Sequence, residues 1–235
     1  MRFDVECAMC MDENKENKVT FEVSNKSLYR VKCSEGHEYD HVLSVELFEM
    51  LYEVGIYALI DGYTREAVSS FATALERFHQ YCFKFLSKYH SVPSAVLDGI
   101  WETMNRSSEQ QAGAFHSLYM VTFKEEPPKI KGSKKQLRND VIHYGKIPSQ
   151  EQATNYAKFV FEYIRDILDK FSKYENFNVI RMSIMYDYFT SQQEFSTSSS
   201  RITMMGISLY GVVTEKDFNK SLDTMIQSNS RWIYT

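Results

Sequence analysis

Hydrophobic and polar positions follow two different periods along the chain. In VTFEV at 19–23 and LYRVKC at 28–33 they alternate, which is the two-residue period of a half-buried strand. From Val42 onward the apolar positions recur every three or four residues, as they do along one face of a helix. The pattern therefore predicts a small β module over residues 1–41 and a helical domain over residues 42–175.

The helical domain divides at residues that end or cap helices. Its expected helices are, in order, residues 44–63, 64–90, 93–109, 110–123, 134–145 and 149–174. Gly62 and Gly145 are suited to end helices, and Thr64 and Ser149 are suited to cap the helices that follow them. The apolar stripe of the first helix begins at Leu43. Short loops favour an antiparallel helical bundle, so the expected fold class is mainly α with a small N-terminal β part.

Residues 176–235 form a C-terminal extension whose pattern is ambiguous. NVIRMSIMYDYF at 178–189 and RITMMGISLYGVV at 201–213 fit strands or helices, and TSSS between them predicts a loop. TEKDFNKSLDTMIQ at 214–227 predicts a capped amphipathic helix. The structure of the extension as a whole stays open.

The composition is that of an ordinary globular protein with an acidic balance. The chain is 43% hydrophobic, and its 9 Gly and 4 Pro are few, which favours long helices over a loop-rich β fold. The net charge of −4 argues against nucleic-acid binding through bulk charge, so any such site must be a local patch. The first residues lack the pattern of a signal peptide, and no apolar run of about 18 residues occurs. We therefore expect a cytoplasmic protein without membrane contact and with reduced cysteines.

Three of the four cysteines lie in the β module, together with a histidine at metal-ligand spacing. The candidate ligands are Cys7, Cys10, Cys33 and His37. The C-x2-C spacing of the first pair brings two thiolates to one ion, and Gly36 allows a tight turn in the second pair. Four protein ligands leave no open position, so the expected cofactor is one structural Zn²⁺ in a zinc-ribbon-like module. His41 remains an alternative ligand, whereas Cys82 is expected in the helical core.

The segment RNDVIHYG places three polar side chains near one helix end. Asn139 and His143 share a helix face, and the long side chain of Arg138 can reach the same place, while Val141 and Ile142 are expected to face the core. An arginine can hold a phosphate through a bidentate fork, and a histidine can move a proton near neutral pH. These two functions suffice for a reaction in which the 2′-hydroxyl of the RNA attacks the adjacent phosphate and cuts the strand, without a catalytic metal. A structural interpretation stays open, in which Arg138 pairs with a surface acid and His143 interacts with the helix C-terminus.

Two segments resemble the HEPN family of ribonuclease domains. RNDVIHYGKIPS is similar to the family's R-x4-6-H signature, in which a polar residue, often Asn, follows the arginine. AVSSFATALERFHQYCFKFL at 67–86 resembles an earlier long helix of the defence-associated branch, and the resemblance covers residues 42–172. It implies that Arg138 and His143 are the catalytic pair, with Asn139 as a supporting residue. It also implies a homodimeric, metal-independent endoribonuclease of phage defence or a toxin system.

Further residues near the motif leave two interpretations each. Glu76, in the segment ALERF, either orients Arg138 or His143 from a facing helix or is a solvated glutamate. The basic stretch before the motif either guides RNA or is a solvated loop. Its lysines are Lys129, Lys131, Lys134 and Lys135. The antitoxin-regulated branch carries R-x4-H-x-Y, but here Tyr144 follows the histidine directly, which argues against regulation by tyrosine modification.

These features give two functional hypotheses. The first is an endoribonuclease that acts on RNA as a homodimer, with a regulatory protein partner as an open option. The alternative is a non-catalytic HEPN-like module that binds RNA or a protein. Motifs from two chains in one open cleft would favour the enzyme, whereas a His143 buried inside one chain would favour the binding module.

Overall fold

The computed structural model describes residues 2–24, 26, 28–43, 45–191, 200–203 and 217–227, which are mainly helical with a small N-terminal antiparallel β region. The strands are β1 (Arg2–Glu6), β2 (Lys18–Glu22), β3 (Leu28–Lys32), β4 (Glu38–Leu43) and β5 (Ser200–Thr203). The helices are α1 (Ala8–Asp12), α2 (Leu47–Ile60), α3 (Thr64–Tyr89), α4 (Ser94–Met104), α5 (Ser108–Phe123), α6 (Gly132–Tyr144), α7 (Gln150–Phe171), α8 (Phe177–Ser191) and α9 (Phe218–Gln227). They fall into two compact units, the first with the five strands and α1, the second with α2 to α7.

Two antiparallel strand pairs build the first unit. β1 pairs with β2 and β3 pairs with β4, where Tyr29 lies opposite His41, while β5 adds to β4 in parallel. The strands predicted at 19–23 and 28–33 are confirmed as β2 and β3, and their buried residues alternate with exposed ones. β1 and β4, which flank them, are not evident from the alternation alone.

The start of the helical part differs from the prediction. Leu43, predicted on the first helical stripe, is instead the last residue of β4 and is buried there. The prediction is wrong because EYDHVL at 38–43 fits the period of a strand as well as that of a helix. α2 begins only at Leu47, after a capping box in which the Glu46 backbone N–H donates to the Glu49 carboxylate at 3.0 Å.

Helix α3 is the centre of the second unit. It packs against α2, α4, α5, α6 and α7, so its apolar residues occupy several faces. Its largest fully buried side chains are Phe71, Phe78, Phe85 and Leu86. Cys82 is completely buried, which confirms it as a core residue. The ring of the buried His79 is hydrogen-bonded to the Tyr163 hydroxyl at 3.0 Å, and burial lowers its pKa to about 3, so it stays neutral.

Residues at helix ends fix the loops of the second unit. Gly62 (φ +80°) follows α2 and Gly145 (φ +69°) follows α6, both as predicted. Ser149 caps α7 in a capping box, also as predicted. The prediction that Thr64 is an N-cap is wrong, because Thr64 lies inside the first turn of α3 and its hydroxyl donates to the Pro148 carbonyl at 2.8 Å. This bond ties the loop after α6 to the start of α3.

The structure differs from the predicted helices in three details. The helices predicted over 93–109 and 110–123 are α4 and α5 with shifted bounds. The basic turn before the motif is shorter than predicted, because α6 already begins at Gly132. Ile142 is 37% exposed, so its prediction as a core residue is wrong, whereas Val141 is fully buried. The two positions differ because α6 packs on one side only and consecutive helical residues point in different directions.

Part of the C-terminal extension is described. The segment at 178–189, which fits either element type, is helical in α8, and residues 201–203 lie in β5. The rest of that second segment lies outside the described residues, as do the first three residues of the loop predicted at 197–200, whereas Ser200 begins β5 instead of ending a loop. The predicted capped helix is confirmed by α9, where the Asp217 carboxylate accepts a bond from the Asn219 backbone N–H at 2.8 Å. Within the described ranges no helix is long and apolar enough to cross a membrane.

Gly55 lets α2 approach α3 closely, because a Cβ atom at this position would lie 2.5 Å from the buried ring of Phe71. We expect Gly55→Ala to lower the free energy of unfolding by about 1–3 kcal/mol, the usual cost of overpacking. Urea unfolding followed by circular dichroism measures it. The matched control is Gly99→Ala on α4, where a Cβ meets open space, and it should stabilise by up to about 1 kcal/mol. Equal stability of the two variants would contradict this packing.

Candidate functional site

Helix α6 presents the polar motif at a surface because only one of its sides is buried. Val141 faces the other helices and is fully buried, whereas His143 is exposed. Gly145 ends the helix, and the Lys146 backbone N–H bonds back to the Asp140 carbonyl at 3.1 Å. The sequence thus places the motif in the last turns of α6 and fixes the chain that follows it.

Arg138 is the centre of a group of four polar side chains. Its Nη2 donates to Glu76 Oε1 at 2.6 Å, and its Nη1 donates to Asn139 Oδ1 at 3.0 Å. The same Nη1 lies 3.3 Å from His143 Nε2. The structure therefore brings Glu76 from α3 together with the three polar residues of α6. We call Glu76, Arg138, Asn139 and His143 the polar cluster.

The contact between Arg138 and His143 constrains where the imidazole proton lies. A guanidinium only donates hydrogen bonds, so His143 Nε2 must accept, and the proton of the neutral ring is then on Nδ1. This Nε2 can take up a proton from a ligand when the ligand displaces the Arg138 N–H from it. The three contacts use three hydrogens of Arg138, so two of the five remain for an anion.

A third helix contributes to the surroundings of the polar cluster. Tyr156 of α7 is buried, and burial raises the pKa of its hydroxyl. Arg138 lowers that pKa and Glu76 raises it, which means that both charges act on the hydroxyl. The Tyr156 hydroxyl of α7 is thus within electrostatic reach of the ion pair between α3 and α6. Sequence reasoning missed Tyr156, because a tyrosine within an apolar helical stripe carries no distinguishing signal.

The lysines predicted as RNA contacts have different surroundings. Lys134 Nζ donates to the Asn155 carbonyl at 2.6 Å and lies 5.7 Å from the centre of the Phe159 ring, so its charge is directed to α7. Burial lowers its pKa. Lys131 precedes α6, Lys135 lies near its start, and both are exposed. These two lysines, unlike Lys134, present their side chains to a ligand.

A second group of chemically active side chains lies in the first unit. Its members are Cys7, Cys10, Cys33 and His37, whose ligand atoms all lie within 4.8 Å of one another. Two short turns bring them together. The first is α1, which the C-x2-C pair starts, and the second joins β3 to β4 through Gly36 at φ +87°. In that turn the Cys33 backbone N–H donates to the His37 carbonyl at 3.0 Å. We call this group the Cys3His cluster.

Three distances in the Cys3His cluster are close to the edges of a tetrahedral metal site, and Cys7 Sγ lies somewhat farther out, 3.9 Å from His37 Nδ1. Cys10 Sγ lies 3.9 Å from Cys33 Sγ and 3.3 Å from His37 Nδ1, and Cys33 Sγ lies 3.5 Å from the same nitrogen. Bonds of about 2.3 Å to sulfur and about 2.0 Å to nitrogen at tetrahedral angles give edges of about 3.8 and 3.5 Å. Burial, followed by the neighbouring thiols, raises the pKa of Cys10 to about 12. A bound cation would offset this resistance to ionisation.

A carboxylate outside the Cys3His cluster supports its histidine. His37 directs Nδ1 to the sulfurs, and its Nε2 lies 3.4 Å from Glu13 Oε1. Lys15 in turn donates to Glu13 at 2.9 Å. Such partners fix the ring of a metal-binding histidine. Sequence reasoning missed Glu13, which lies in a uniformly polar run. His41, the alternative ligand, is not part of the cluster and packs instead on Phe21, with ring centres 5.1 Å apart.

No protein-family model, curated protein or solved structure matches the chain. The resemblance to HEPN domains therefore rests on two segments of this sequence, the one around Arg138 and the one at 67–86.

The Glu76–Arg138 ion pair should stabilise the contact between α3 and α6. We expect Glu76→Gln to lower the free energy of unfolding by about 1 kcal/mol, because each side chain is still 27% exposed and solvent screens the pair. A double-mutant cycle with Arg138→Gln, followed by urea unfolding, should give a coupling energy of about 0.5–1 kcal/mol. Glu66→Gln is the matched control on α3, where Arg65 lies 3.3 Å away, and it should change stability by less than about 0.5 kcal/mol. A coupling energy of zero would rule out this link.

Proposed function

We propose that the polar cluster is the catalytic site of a metal-independent endoribonuclease of the HEPN class. The observation that carries this is the position of Arg138 between a carboxylate and an exposed histidine, 2.6 Å from Glu76 and 3.3 Å from His143. An arginine held in this way can clamp a phosphate, and the histidine can accept a proton beside it. The exposure of His143 favours the enzyme over a non-catalytic module, because a histidine used only in packing needs no access to solvent.

In the proposed reaction the RNA supplies its own nucleophile. Once the RNA has displaced the Arg138 contact at His143 Nε2, this nitrogen removes the proton of a 2′-hydroxyl, whose oxygen bonds to the adjacent phosphorus while the P–O5′ bond breaks. The remaining donors of Arg138 stabilise the charge on the phosphoryl oxygens. The leaving 5′-oxygen takes a proton from an acid, so the products are a 2′,3′-cyclic phosphate and a 5′-hydroxyl. Glu76 and Asn139 position Arg138.

We further propose that the acid is the His143 of a second copy of the chain. The base and the acid act on opposite sides of the phosphorus, and the polar cluster of one chain offers one histidine. Apolar side chains beside the cluster are available to cover such a contact. They are Ile142, Tyr144 and Ile147, which are 37%, 81% and 78% exposed. A two-fold contact through the end of α6 would bring both clusters into one cleft.

Light scattering at micromolar concentration should report a dimer. Ile147→Asp should convert it to a monomer, because the substitution places a charge in the proposed contact. Met120→Asp introduces the same charge at a position on α5 that is 55% exposed, and it should leave the dimer intact. A parent protein that is monomeric under these conditions would contradict the two-fold arrangement.

The purified protein should cut RNA in the presence of EDTA and leave 2′,3′-cyclic phosphate ends. His143→Ala should lower the rate by about 100- to 10,000-fold, and Arg138→Lys should impair it severely because an ammonium lacks the planar fork. His90→Ala is the matched control, since this exposed histidine bonds to Thr122 at 2.7 Å outside the polar cluster. A folded His143→Ala protein that cuts at the parental rate would refute the nuclease. RNA that the parent binds but does not cut would support the binding module.

For the Cys3His cluster we propose one structural Zn²⁺ in a zinc-ribbon-like module. The tetrahedral distances support it, and four protein ligands leave no position open for a reaction. The ion would stabilise a β unit too small to hold a large apolar core. A setting in phage defence or a toxin system and a regulatory partner are proposed on the HEPN resemblance alone.

Elemental analysis of protein purified without added metal should find one zinc per chain. Cys10→Ser should lose the metal and unfold the β unit, while the helical circular dichroism signal largely remains. Glu13→Gln should weaken zinc affinity by about 10- to 100-fold, because it removes the partner of His37 Nε2. Glu16→Gln, at an exposed position in the same polar run, should not. A folded chain that contains no metal would exclude the site.

A further inference from the structure

The loop that follows α6 is held in place at both of its ends. The Lys146 backbone N–H donates to the Asp140 carbonyl at 3.1 Å, and the Lys146 ammonium pairs with the Asp140 carboxylate at 3.1 Å. At the other end, the Thr64 hydroxyl donates to the Pro148 carbonyl at 2.8 Å. These bonds fix the backbone between the end of α6 and the start of α7.

Two apolar side chains of this fixed segment project into solvent. Tyr144 is 81% exposed and Ile147 is 78% exposed, and among the described residues no other large apolar side chain is as exposed as these two. Internal packing does not explain their positions, because apolar surface that stays in water gains nothing from the hydrophobic effect. The ring of Tyr144 is therefore accessible to a ligand, directly beside His143 in the chain.

The order of three side chains around α6 matches the order of groups in one nucleotide. At about 100° per residue, His143 lies between the other two, about 140° from Arg138 and about 100° from Tyr144. In RNA the 2′-hydroxyl lies on the ribose, between the base and the 3′-phosphate. A nucleotide whose phosphate contacts Arg138 and whose 2′-oxygen faces His143 thus has its base on the side of Tyr144.

We propose that the ring of Tyr144 stacks on the base of the nucleotide that carries the attacking 2′-hydroxyl. This inference rests on the proposed ribonuclease function of the polar cluster and adds a base position to it. Stacking uses the flat face of the ring, which all four bases can match, so this position does not select one base. It selects an unpaired base over a paired one, because only an unpaired base can leave its neighbours and stack on the protein. The substrate class is therefore single-stranded RNA.

The same end of α6 carries the proposed contact between two chains. In that arrangement Ile142 and Ile147 cover the contact, while the ring of Tyr144 borders the cleft that the RNA enters. Tyr144→Ala should therefore leave the dimer intact in light scattering at micromolar concentration, in contrast to Ile147→Asp. A Tyr144→Ala protein that has become monomeric would overturn the inference, because the ring would then belong to the contact between chains.

The test measures binding of the full chain to a short labelled single-stranded oligoribonucleotide with 2′-O-methyl groups, which cannot be cut through the 2′-oxygen. Fluorescence anisotropy gives Kd over a series of salt concentrations. Tyr144→Ala should raise Kd by about 5- to 150-fold, the usual effect of losing one stacked base. The slope of log Kd against log salt should stay at the parental value, because the substitution removes no charge.

Three further variants separate stacking from general apolar contact. Tyr144→Trp should bind at least as tightly as the parent, whereas Tyr144→Leu should bind as weakly as Tyr144→Ala, because leucine has no aromatic face. Tyr186→Ala is the matched control, since it removes a tyrosine ring that is 66% exposed on α8, and it should keep the parental Kd. A Tyr144→Leu protein that binds as tightly as the parent would overturn the inference.

Oligonucleotides that lack the base at one position in turn test whether the ring and a base contact each other. For the parent, one such position should raise Kd by about the same factor as Tyr144→Ala does, and the Tyr144→Ala protein should be insensitive to it. Equal losses by both proteins at every position would overturn the inference, as would no binding by the parent. Duplex RNA that binds as tightly with the same dependence on Tyr144 would overturn the assignment to unpaired bases.

Cleavage assays on unmodified RNA separate this inference from the proposed function. A base position that depends on Tyr144, without any cleavage, would support the stacking site and remove the nuclease. Cleavage by a Tyr144→Ala protein with parental rate and Kd would remove the stacking site and leave the nuclease. If both are correct, the cut should lie directly 3′ of the nucleotide whose base is needed for binding.

Discussion

The burial of α3 among neighbouring helices is the constraint on which the second unit depends. Because α2, α4, α5, α6 and α7 all pack against it, a polar side chain on a buried side of α3 is stabilised by a partner from a neighbouring helix. His79 has such a partner in the Tyr163 hydroxyl at 3.0 Å, and Glu76 has one in Arg138 at 2.6 Å. The polar cluster thus lies at the edge of the packed helices, where the pair between Glu76 and Arg138 also holds Arg138 beside His143.

The free-energy contributions of the contacts of α6 differ in size. Their comparison shows which interactions position the helix and which only orient a side chain. Burying Val141 contributes about 1.5–3 kcal/mol, whereas an ion pair that solvent still reaches contributes about 1 kcal/mol or less. The bond from Thr64 to the Pro148 carbonyl adds a second anchor just after the helix. Apolar packing and this anchor therefore place α6, and the pair with Glu76 selects the conformation of Arg138.

Local rules account for the parts of the fold that could be predicted from the sequence. Glycines with positive φ end α2 and α6, and the i, i+4 spacing puts Asn139 and His143 on one helix face. Tertiary contacts decide the parts that could not. The sequence around Leu43 fits a strand as well as a helix, and the pairing of β3 with residues 38–42 decides for the strand. Ile142 is exposed because α6 packs on one side only. The electrostatic influence of Glu76 and Arg138 on Tyr156 depends on the packing of separate helices, which no local spacing encodes.

The central feature of the polar cluster is that Glu76 holds Arg138 so that His143 keeps an unprotonated Nε2. Long-range ¹H–¹⁵N NMR spectra of the histidine rings test it directly, at a pH where His143 is neutral and with His143→Ala as the assignment control. We expect the proton of His143 to be on Nδ1 and Glu76→Gln to weaken this preference. A His143 that carries its proton on Nε2, unchanged by Glu76→Gln, would contradict it.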